Sequence, residues 1–339
     1  GLSMSSGATS PDRHGSTAMQ NNNQMHLLHF VFTKIKPKVY IYENAPGLYT
    51  SLGGGLREQI DKIALEHRYS VTYVKTNTRL HNNVQYRERT FVIFWRHPDN
   101  YKGDECPPPM MGYYANERKS VLEFLNEINK NASNNDAKKD NCGEKLVNNS
   151  PLYKYMFTTY GKNWRDEIYK ACTGGNNNSI ARFLFDTNQE QKAWPFVLDK
   201  DNKVAPSPET YTRWIAKKQI GKGFWDYSPL VMGDNSVCTI YFKSVERLVH
   251  PIYERGYTKR EFMKFMGLPD DLDWPEGLEF THTIGQNVPV DTARDWLLEI
   301  KNIVENWNTK RLPPKTMLLT KNVYYHNNCK PNESHEDFN

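Results

Sequence analysis

Short runs of β-branched and aromatic residues, separated by a helical stretch, constrain the fold of this chain most strongly. KVYIY at residues 38–42 and FVIFW at residues 91–95 predict buried strands, and residues 71–74 predict another. The apolar spacing of residues 56–65 predicts a helix, and residues 25–32 predict the end of an earlier one. Strand, helix and strand in this order are typical of a parallel α/β sheet with right-handed crossovers.

This alternation stops after residue 96. An amphipathic helix is predicted near residues 117–128, and the Asn- and Lys-rich residues 129–149 predict an exposed loop or insertion. Residues 151–243 contain mixed short elements rich in Tyr, Trp, Asn and Gly, with no repeat, which indicates an irregular, loop-rich domain. The chain of 339 residues is long enough for two separate cores.

Two further helices are predicted near the C-terminus. Thr258 and Glu261 have the spacing of a capping box, and the helix that they begin should end by Gly267. A second helix follows, whose apolar residues are spaced to pack on a core rather than to bind a ligand. Its predicted core residues are Val290, Ala293, Trp296, Leu297, Ile300 and Val304.

Composition excludes several classes of protein. The formal net charge of +5 fits a surface that binds a polyanion, but it also fits many proteins that bind no nucleic acid. Five cysteines lie far apart, with no CxxC pair and no histidine cluster at metal-ligand spacing, so we expect reduced thiols and no metal. No apolar run is long enough to span a membrane, and no signal-peptide pattern is present, so we expect an intracellular protein without a membrane partner.

Four sequence blocks in a fixed order carry a family resemblance. They are YENAPGL at residues 42–48, QYRER at residues 85–89, a block from VHP at residues 249–251 through RGYTKRE to GLPDD at residues 267–271, and IGQNVP at residues 284–289. Each block alone is a weak signal. Together they resemble the ENV, QxRxR, target-recognition and IGNxVP blocks of the DNA cytosine-5 methyltransferases, in the order of that family.

The resemblance implies a fold class and a domain division. It implies an α/β protein with a partial Rossmann-like methyltransferase sheet and an irregular, loop-rich target-recognition domain. Residues 1–100 would form part of the catalytic domain, residues 101–265 the target-recognition domain, residues 266–310 a return to the catalytic domain, and residues 311–339 a C-terminal tail. The first residues resemble the segment that follows the family's Pro-Cys-Gln. We therefore expect the nucleophilic cysteine and the FxGxG cofactor motif to lie outside these 339 residues, on the same gene or on a separate N-terminal subunit.

The resemblance also implies roles in the chemistry of cytosine. Addition of a thiolate to C6 makes C5 nucleophilic and places negative charge on N3 and O2 of the ring. The resemblance implies Glu43 as the carboxylic acid at N3, with a pKa raised by burial. It implies Arg89 as the guanidinium at O2, with Arg87 in support. Without the ordered blocks, a Glu after a strand would be read as a solvated loop residue, and arginines before a strand as surface or ion-pair residues.

Cofactor and DNA contacts follow from the same resemblance. It implies that Asn44, Gln286, Asn287 and Val288 bind S-adenosylmethionine. Gln286 stands where the family usually has Asn, which leaves open whether a side chain or the backbone makes the contact. Asn44 is also expected to hold its loop by side-chain to backbone hydrogen bonds.

Double-stranded DNA is the expected partner. Ser3, Ser5 and Arg13 resemble family positions that touch DNA, although a flexible Ser/Gly loop is an equal alternative. Arg255 is expected either to contact DNA or to brace the recognition domain. Bases would be read from loops within residues 151–243. The function expected from the sequence is a methyltransferase component that flips cytosine out of the duplex. The alternatives are a non-catalytic DNA-binding or regulatory module and, less favoured, an RNA methyltransferase.

Overall fold

A computed structural model describes the chain in segments. The described residues are 19–48, 54–97, 120–129, 151–164, 183–184, 187–196, 209, 212, 216, 230–231, 237–240, 245, 248–250, 255–269, 272–306 and 324–327. They fall into two compact units. The first unit comprises the described residues up to His81, those from Glu88 to residue 97, and those from Ala293 onward. The second unit comprises Asn82–Arg87 and the described residues from 120 to Thr292.

The first unit is built on an antiparallel sheet. Its strands are β1 (Val39–Asn44), β2 (Tyr69–Asn77), β3 (Glu88–Arg96) and β6 (Tyr324–Asn327), in the order β1-β3-β2-β6. Helix α2 (Gly54–Glu66) connects β1 to β2. The three strands predicted from the sequence are thus present, each longer than its apolar run. A fourth strand, β6, lies in the segment that was expected to be a tail.

The prediction of a parallel sheet is wrong for the strands that are hydrogen-bonded to each other. β1 and β2 each pair with β3 in the antiparallel sense. The reason is the short link from β2 to β3: residues 78–87 are fewer than the dozen that a parallel crossover requires, so the chain turns back beside its own strand. β1 and β2 run in the same direction, as strands connected through a helix can, but β3 lies between them. The Rossmann-like assignment stays a prediction.

Helices cover one face of this sheet. Helix α1 (Met19–Phe30) continues into a π-helical turn (Val31–Ile35), and both contribute to a core with α2. In that core the ring of Phe32 stacks on Tyr69 with centroids 4.3 Å apart. Ile60 of α2 is fully buried. Burial of such side chains supplies the main favourable term in the stability of the unit.

The described residues of the second unit form short elements. Its helices and strands are α3 (Val121–Asn129), α4 (Pro151–Tyr160), α5 (Glu190–Ala193), β4 (Leu230–Val231), β5 (Leu248–Val249), α6 (Lys259–Phe265) and α7 (Phe280–Ile284). β4 and β5 pair in parallel. Short 3₁₀ turns occur at Pro46–Leu48 and Thr78–His81 in the first unit and at Gly161–Asn163 and Trp194–Phe196 in the second. Whether this unit is the target-recognition domain stays a prediction.

Helix α6 begins and ends as its sequence predicts. The Thr258 hydroxyl accepts from the Glu261 amide, and the Glu261 carboxylate accepts from the Thr258 amide, which completes the capping box. Gly267 follows the helix with φ of +68°, a left-handed conformation that favours glycine. Tyr257, Phe262 and Phe265 are fully buried around the helix and form the core of the second unit.

Helix α8 (Val290–Asn306) begins among residues of the second unit and belongs to the first unit from Ala293 onward. Trp296 and Ile300 are buried, as predicted. Val290 and Leu297 were predicted to be core residues but are 38% and 57% exposed, whereas Ile303 is buried. The apolar positions of this helix span a wider arc than the face that packs, so spacing alone did not identify the buried side.

Candidate functional site

Glu43 and Arg89 form an ion pair in the first unit. Glu43 lies opposite Phe91 in the register of β1 and β3, and Arg89 lies two residues before Phe91. Since side chains alternate between the faces of a sheet, Glu43 and Arg89 project from the same face. Arg89 Nε lies 2.7 Å from Glu43 Oε1. Two residues that the sequence assigned to one site are therefore in direct contact.

The pair is partly accessible to solvent. The side chains of Glu43 and Arg89 are 26% and 19% exposed. The carboxylate of Glu43 faces a guanidinium, and a quarter of its side chain is exposed. Burial lowers the pKa of Arg89, and the neighbouring Glu43 opposes that shift by favouring the charged form.

The contacts of Arg89 leave part of its hydrogen-bonding capacity for a ligand. Besides the contact of Nε with Glu43, its Nη1 donates to the Glu88 carbonyl at 2.7 Å. As far as the described residues go, Nη2 of Arg89 and Oε2 of Glu43 have no protein partner. A carboxylate and a guanidinium side by side can meet a planar ligand whose edge carries adjacent polar atoms.

Asn44 supports the end of β1. It is fully buried, its amide nitrogen donates to the Tyr42 hydroxyl at 2.7 Å, and its carbonyl oxygen accepts from the Ala45 amide at 2.7 Å. Burial raises the pKa of the Tyr42 hydroxyl, with a small opposing effect of Asn44. The expected side-chain to backbone bond of Asn44 is present, and it fixes the turn that follows Glu43.

Arg87 has a different environment from Arg89. It belongs to the second unit, is buried, and donates to the carbonyls of Ile240 at 3.0 Å and Gly285 at 2.8 Å. Gln85, for which no role was predicted, donates to the Phe265 carbonyl at 3.3 Å and accepts from the Ile240 amide at 3.2 Å. The QYRER block thus contributes Gln85 and Arg87 to the second unit and Arg89 to the first. A catalytic role for Arg87 stays a prediction.

The IGQNVP block follows α7 in the second unit. Gln286 and Asn287 are exposed, and Val288 is half-buried. The Gln286 amide donates to the Thr283 carbonyl at 3.1 Å, and the Asn287 side chain donates to the same carbonyl at 3.4 Å. The two side-chain amides are accessible to a ligand in this arrangement.

Arg255 is engaged within the second unit. Its Nη1 and Nη2 each donate to the Glu261 carboxylate at 2.8 Å. His250 Nε2 lies 3.4 Å from the same carboxylate, whose side chain is 2% exposed. Burial alone would raise the pKa of Glu261, but the hydrogen bonds and charges of Arg255 and His250 lower it to about 2. The other residues expected to touch DNA, Ser3, Ser5 and Arg13, lie outside the described residues.

One group beside the ion pair was not predicted from the sequence. Thr76 lies opposite Arg89 in the register of β2 and β3. His81 Nε2 is 2.8 Å from Thr76 Oγ1, and His81 Nδ1 is 2.9 Å from Asp295 Oδ2. Because a carboxylate only accepts, Nδ1 carries the proton and Nε2 accepts from the hydroxyl when the histidine is neutral. His81 and Asp295 are 214 residues apart, and no local pattern links them.

Neither a metal centre nor a membrane-spanning helix is found among the described residues. Within the described segments, no group of three or more His, Cys, Asp or Glu side chains could hold a metal ion. No helix in these segments combines the length and apolar character needed to cross a membrane. Cys238 is buried and forms no disulfide.

Comparison with known proteins identifies related chains. The model of the C-5 cytosine-specific DNA methylase family matches residues 16–302. Among curated proteins, none matches the chain significantly.

Solved structures provide more distant likenesses. The Entamoeba histolytica methyltransferase EhMeth aligns with 13% identity over 86% of this chain and 72% of its own, with a TM-score of 0.43. A candidate DNA modification methyltransferase from an Escherichia coli prophage aligns with 14% identity over 84% and 75%, with a TM-score of 0.42. The Schizosaccharomyces pombe methyltransferase Dnmt2 aligns with 12% identity over 85% and 74%, with a TM-score of 0.38.

Proposed function

The chain belongs to the C-5 cytosine-specific DNA methylase family, and we propose that it holds a cytosine flipped out of duplex DNA while a methyl group is transferred to C5. The observation that carries this proposal is the contact of 2.7 Å between Glu43 and Arg89. The two side chains meet at one end of the sheet and are partly accessible. A base extruded from the duplex exposes its polar edge to such a pocket.

The pair matches the edge of cytosine. O2, N3 and the 4-amino group lie along that edge, and O2 and N3 are adjacent acceptors. Nη2 of Arg89 would donate to O2, and a protonated Oε2 of Glu43 would donate to N3. The ionised carboxylate can instead accept from the 4-amino group, which thymine lacks. The same pair therefore provides both binding and discrimination between pyrimidines.

The chemistry requires these groups at the stage when charge develops on the ring. As a thiolate forms a bond to C6, electrons of the C5–C6 double bond move toward N3 and O2. A proton from Glu43 at N3 and the fixed charge of Arg89 at O2 stabilise that state, because preorganised groups need little reorganisation. After C5 receives the methyl group, it loses its proton and the sulfur leaves C6, which restores the aromatic ring. Asn44 keeps Glu43 in position through the turn that it fixes.

S-adenosylmethionine would supply the methyl group as a sulfonium. The accessible amides of Gln286 and Asn287, with the backbone up to Val288, fit a contact with such a polar cofactor. Asn44 fits less well as a direct ligand, because its amide nitrogen and carbonyl oxygen are both engaged within its own strand and turn. We propose that its part in cofactor binding is limited to holding the loop.

Several parts of the proposal concern DNA. We propose that Ser3, Ser5 and Arg13 contact the duplex and that the second unit, including residues 151–243, reads its sequence. Arg255 would brace that unit, since its guanidinium is held by Glu261 at 2.8 Å on two atoms. Duplex DNA is the proposed substrate, and competition with tRNA in the methylation assay would test that choice.

We propose that the attacking thiolate comes from a segment outside these 339 residues. None of the five cysteines follows a proline, as the nucleophile of the family does. We propose that a Pro-Cys segment is supplied by the same gene or by a second subunit, and that the 339-residue chain alone transfers no methyl groups. Turnover by the isolated chain would contradict this point, whereas sequence-specific DNA binding without any activating segment would favour the non-catalytic module.

The central test replaces Glu43 in the assembled enzyme, with the nucleophile segment present. Glu43→Gln keeps the shape of the side chain but removes the transferable proton, so the rate of methyl transfer to duplex DNA should fall by about 10²–10⁴-fold. Affinity for the duplex should change by less than about threefold, because the phosphate contacts that dominate binding remain. Labelled methyl transfer and fluorescence anisotropy measure the two quantities.

Glu88→Gln is the matched control. Glu88 lies on the same strand as Arg89, is 32% exposed, and pairs with Lys75 at 3.4 Å, so its substitution removes a comparable surface charge next to the site. Its methylation rate should stay near that of the wild type. If Glu43→Gln is as active as Glu88→Gln, the carboxyl of Glu43 takes no part in the chemistry.

A further inference from the structure

A second polar pocket lies at the opposite end of the sheet from Glu43 and Arg89. It has a volume of about 470 Å³ and is lined by residues where β1 and β2 begin and β3 ends, including Lys36, Tyr69 and Arg96. Arg96 lies opposite Tyr69 in the strand register, seven residues beyond Arg89. Seven residues of extended strand span roughly 23 Å. This pocket is therefore separate from the site proposed to hold cytosine.

Basic side chains dominate the lining. Lys36, Arg68 and Arg96 are the lysine and arginines of the lining, and His67 and His97 also belong to it. Glu66 is the acidic residue of the lining. The pocket therefore has an excess of positive charge even when both histidines are neutral. The volume lies within the range typical of small-molecule sites.

The basic residues are held by a network of main-chain hydrogen bonds. Lys36 and Arg68 have φ of 50° and 62°, a left-handed conformation that is unfavourable for residues other than glycine. Arg96 Nη1 donates to the Lys36 carbonyl at 2.7 Å, and the His97 amide donates to the Arg68 carbonyl at 2.9 Å. Both turns are thereby fixed to the end of β3. Backbone strain that is held in place in this way often marks a binding site.

The floor of the pocket is apolar and rigid. Phe32 and Tyr69 are each 2% exposed and stack on one another, and the Tyr69 hydroxyl donates to the Pro37 carbonyl at 2.8 Å. These rings present no open face on which a base could stack. Burial, and then the charge of Arg68, lower the pKa of His97.

We propose that this pocket binds a phosphate group. Two arginines and a lysine line one concave surface, and guanidinium and ammonium groups bind phosphate through charge-assisted hydrogen bonds. The phosphate has two sources with the same chemistry: a phosphodiester of a DNA segment away from the methylation site, or a small phosphate compound. Because Phe32 and Tyr69 are buried, a base cannot stack on either ring, which favours recognition of the phosphate itself.

The test removes two charges while keeping the backbone. Lys36→Asn and Arg68→Asn are combined, because asparagine tolerates the left-handed conformation of both positions. Lys34→Gln with Lys62→Gln is the control: both lysines are exposed, neither lines the pocket, and the change in net charge is the same. Calorimetric titration with pyrophosphate should show affinity reduced about tenfold or more in the pocket variant and by less than about twofold in the control.

The duplex distinguishes the two sources. If the ligand is a phosphodiester, the pocket variant also binds a short duplex more weakly than the control does. The slope of log affinity against log salt concentration should then be smaller by the contribution of about two phosphate contacts. If the ligand is a small phosphate compound, only pyrophosphate binding changes. The proposal is overturned if the wild type binds no pyrophosphate and both double variants bind the duplex equally, or if both lose pyrophosphate affinity to the same extent.

Two measurements keep the test decisive. Thermal unfolding of each variant establishes that it folds, and the single variant Lys36→Asn, at an exposed position, serves if the double variant does not. Glu43→Gln should bind pyrophosphate as the wild type does. If the proposed methylation mechanism is wrong, the expected binding of pyrophosphate is unaffected. The two proposals can therefore be disproved independently.

Discussion

Glu43 and Glu261 each contact an arginine, and their surroundings give the two carboxylates different properties. Glu43 contacts Arg89 with a side chain that is 26% exposed. Glu261 receives two hydrogen bonds from Arg255 and is 2% exposed. A partly solvated pair contributes little to stability and can open to accept a ligand, whereas separation of a buried pair leaves an uncompensated charge. We therefore expect Glu43 to matter for chemistry and Glu261 for folding.

Glu261→Gln should lower the free energy of unfolding by about 2–4 kcal/mol, since it removes a buried charge partner of Arg255 and weakens the capping box. The pKa of Glu261 in the folded state, about 2, is below its ordinary value of 4.5. Its contribution is therefore complete above pH 4.5 and is lost as the pH falls toward 2. Denaturant unfolding between pH 2 and pH 7 should show that the free energy of unfolding falls less in acid for the variant than for the wild type.

Glu279→Gln provides the comparison for that measurement. Glu279 contacts His282 at 3.5 Å, and its side chain is 66% exposed. Its replacement should cost less than about 0.5 kcal/mol. Equal losses from the two substitutions would show that the buried arrangement around Glu261 contributes nothing beyond an ordinary surface contact.

At the scale of secondary-structure elements, the end of α6 depends on one glycine. Gly267 has φ of +68°, and a Cβ added there would lie 2.9 Å from Asp291 Oδ2. The Val290 amide donates to the Met266 carbonyl at 2.9 Å, and Asn83 donates to Asp291 at 3.3 Å. The close approach of these segments therefore requires a residue without a side chain.

Gly267→Ala should destabilise the protein by about 2–3 kcal/mol, because it adds a steric clash to the cost of a left-handed alanine. Gly277→Ala separates the two effects. Gly277 has φ of +77°, but an added Cβ would meet nothing within 4 Å. The free energy of unfolding of that variant should fall by only about 1 kcal/mol. Thermal unfolding of both variants measures the difference, and equal losses would exclude the contact with Asp291 as a cause.

At the scale of the whole molecule, each unit contains a carboxyl group with a displaced pKa. Burial raises the pKa of Asp61 in the first unit to about 6, against smaller opposing effects of Tyr73 and Arg57. Glu261 in the second unit is displaced in the opposite direction. A raised pKa of Asp61 means that the folded state binds the proton of this carboxyl more tightly than the unfolded state does. The contribution of Asp61 to stability is therefore present at low pH and is lost as the pH rises through 6.

We therefore predict opposite pH dependences of local stability in the two units. Between pH 4 and pH 6.5, amide protection near α2 should decrease as the pH rises, by up to roughly 3 kcal/mol for the displacement of Asp61 from 3.8 to about 6. Protection near α6 should not decrease over that range. Peptide-resolved hydrogen exchange, corrected for intrinsic rates, measures both. Asp61→Asn should remove the dependence near α2, and its persistence in that variant would exclude Asp61 as the cause.

The local elements and the family could both be predicted from the order and spacing of the residues. Alternating and apolar runs located β1, β2 and β3, Thr258 and Glu261 located the start of α6, and the four ordered blocks pointed to the family that the comparison shows. These features depend on neighbouring residues, whose spacing is visible in one dimension. The sequence also paired Glu43 with Arg89, but only through the resemblance, because the spacing of the two residues does not predict their contact.

Features that depend on contacts between distant residues could be identified from the folded chain alone. In the folded chain β3 lies between β1 and β2. Arg87 donates to the carbonyls of Ile240 and Gly285, and His81 contacts Asp295. The basic pocket is also assembled from the ends of three strands. In each case the partners are far apart in the chain, and their meeting is fixed by strand order and by the packing of buried side chains, which no local pattern encodes.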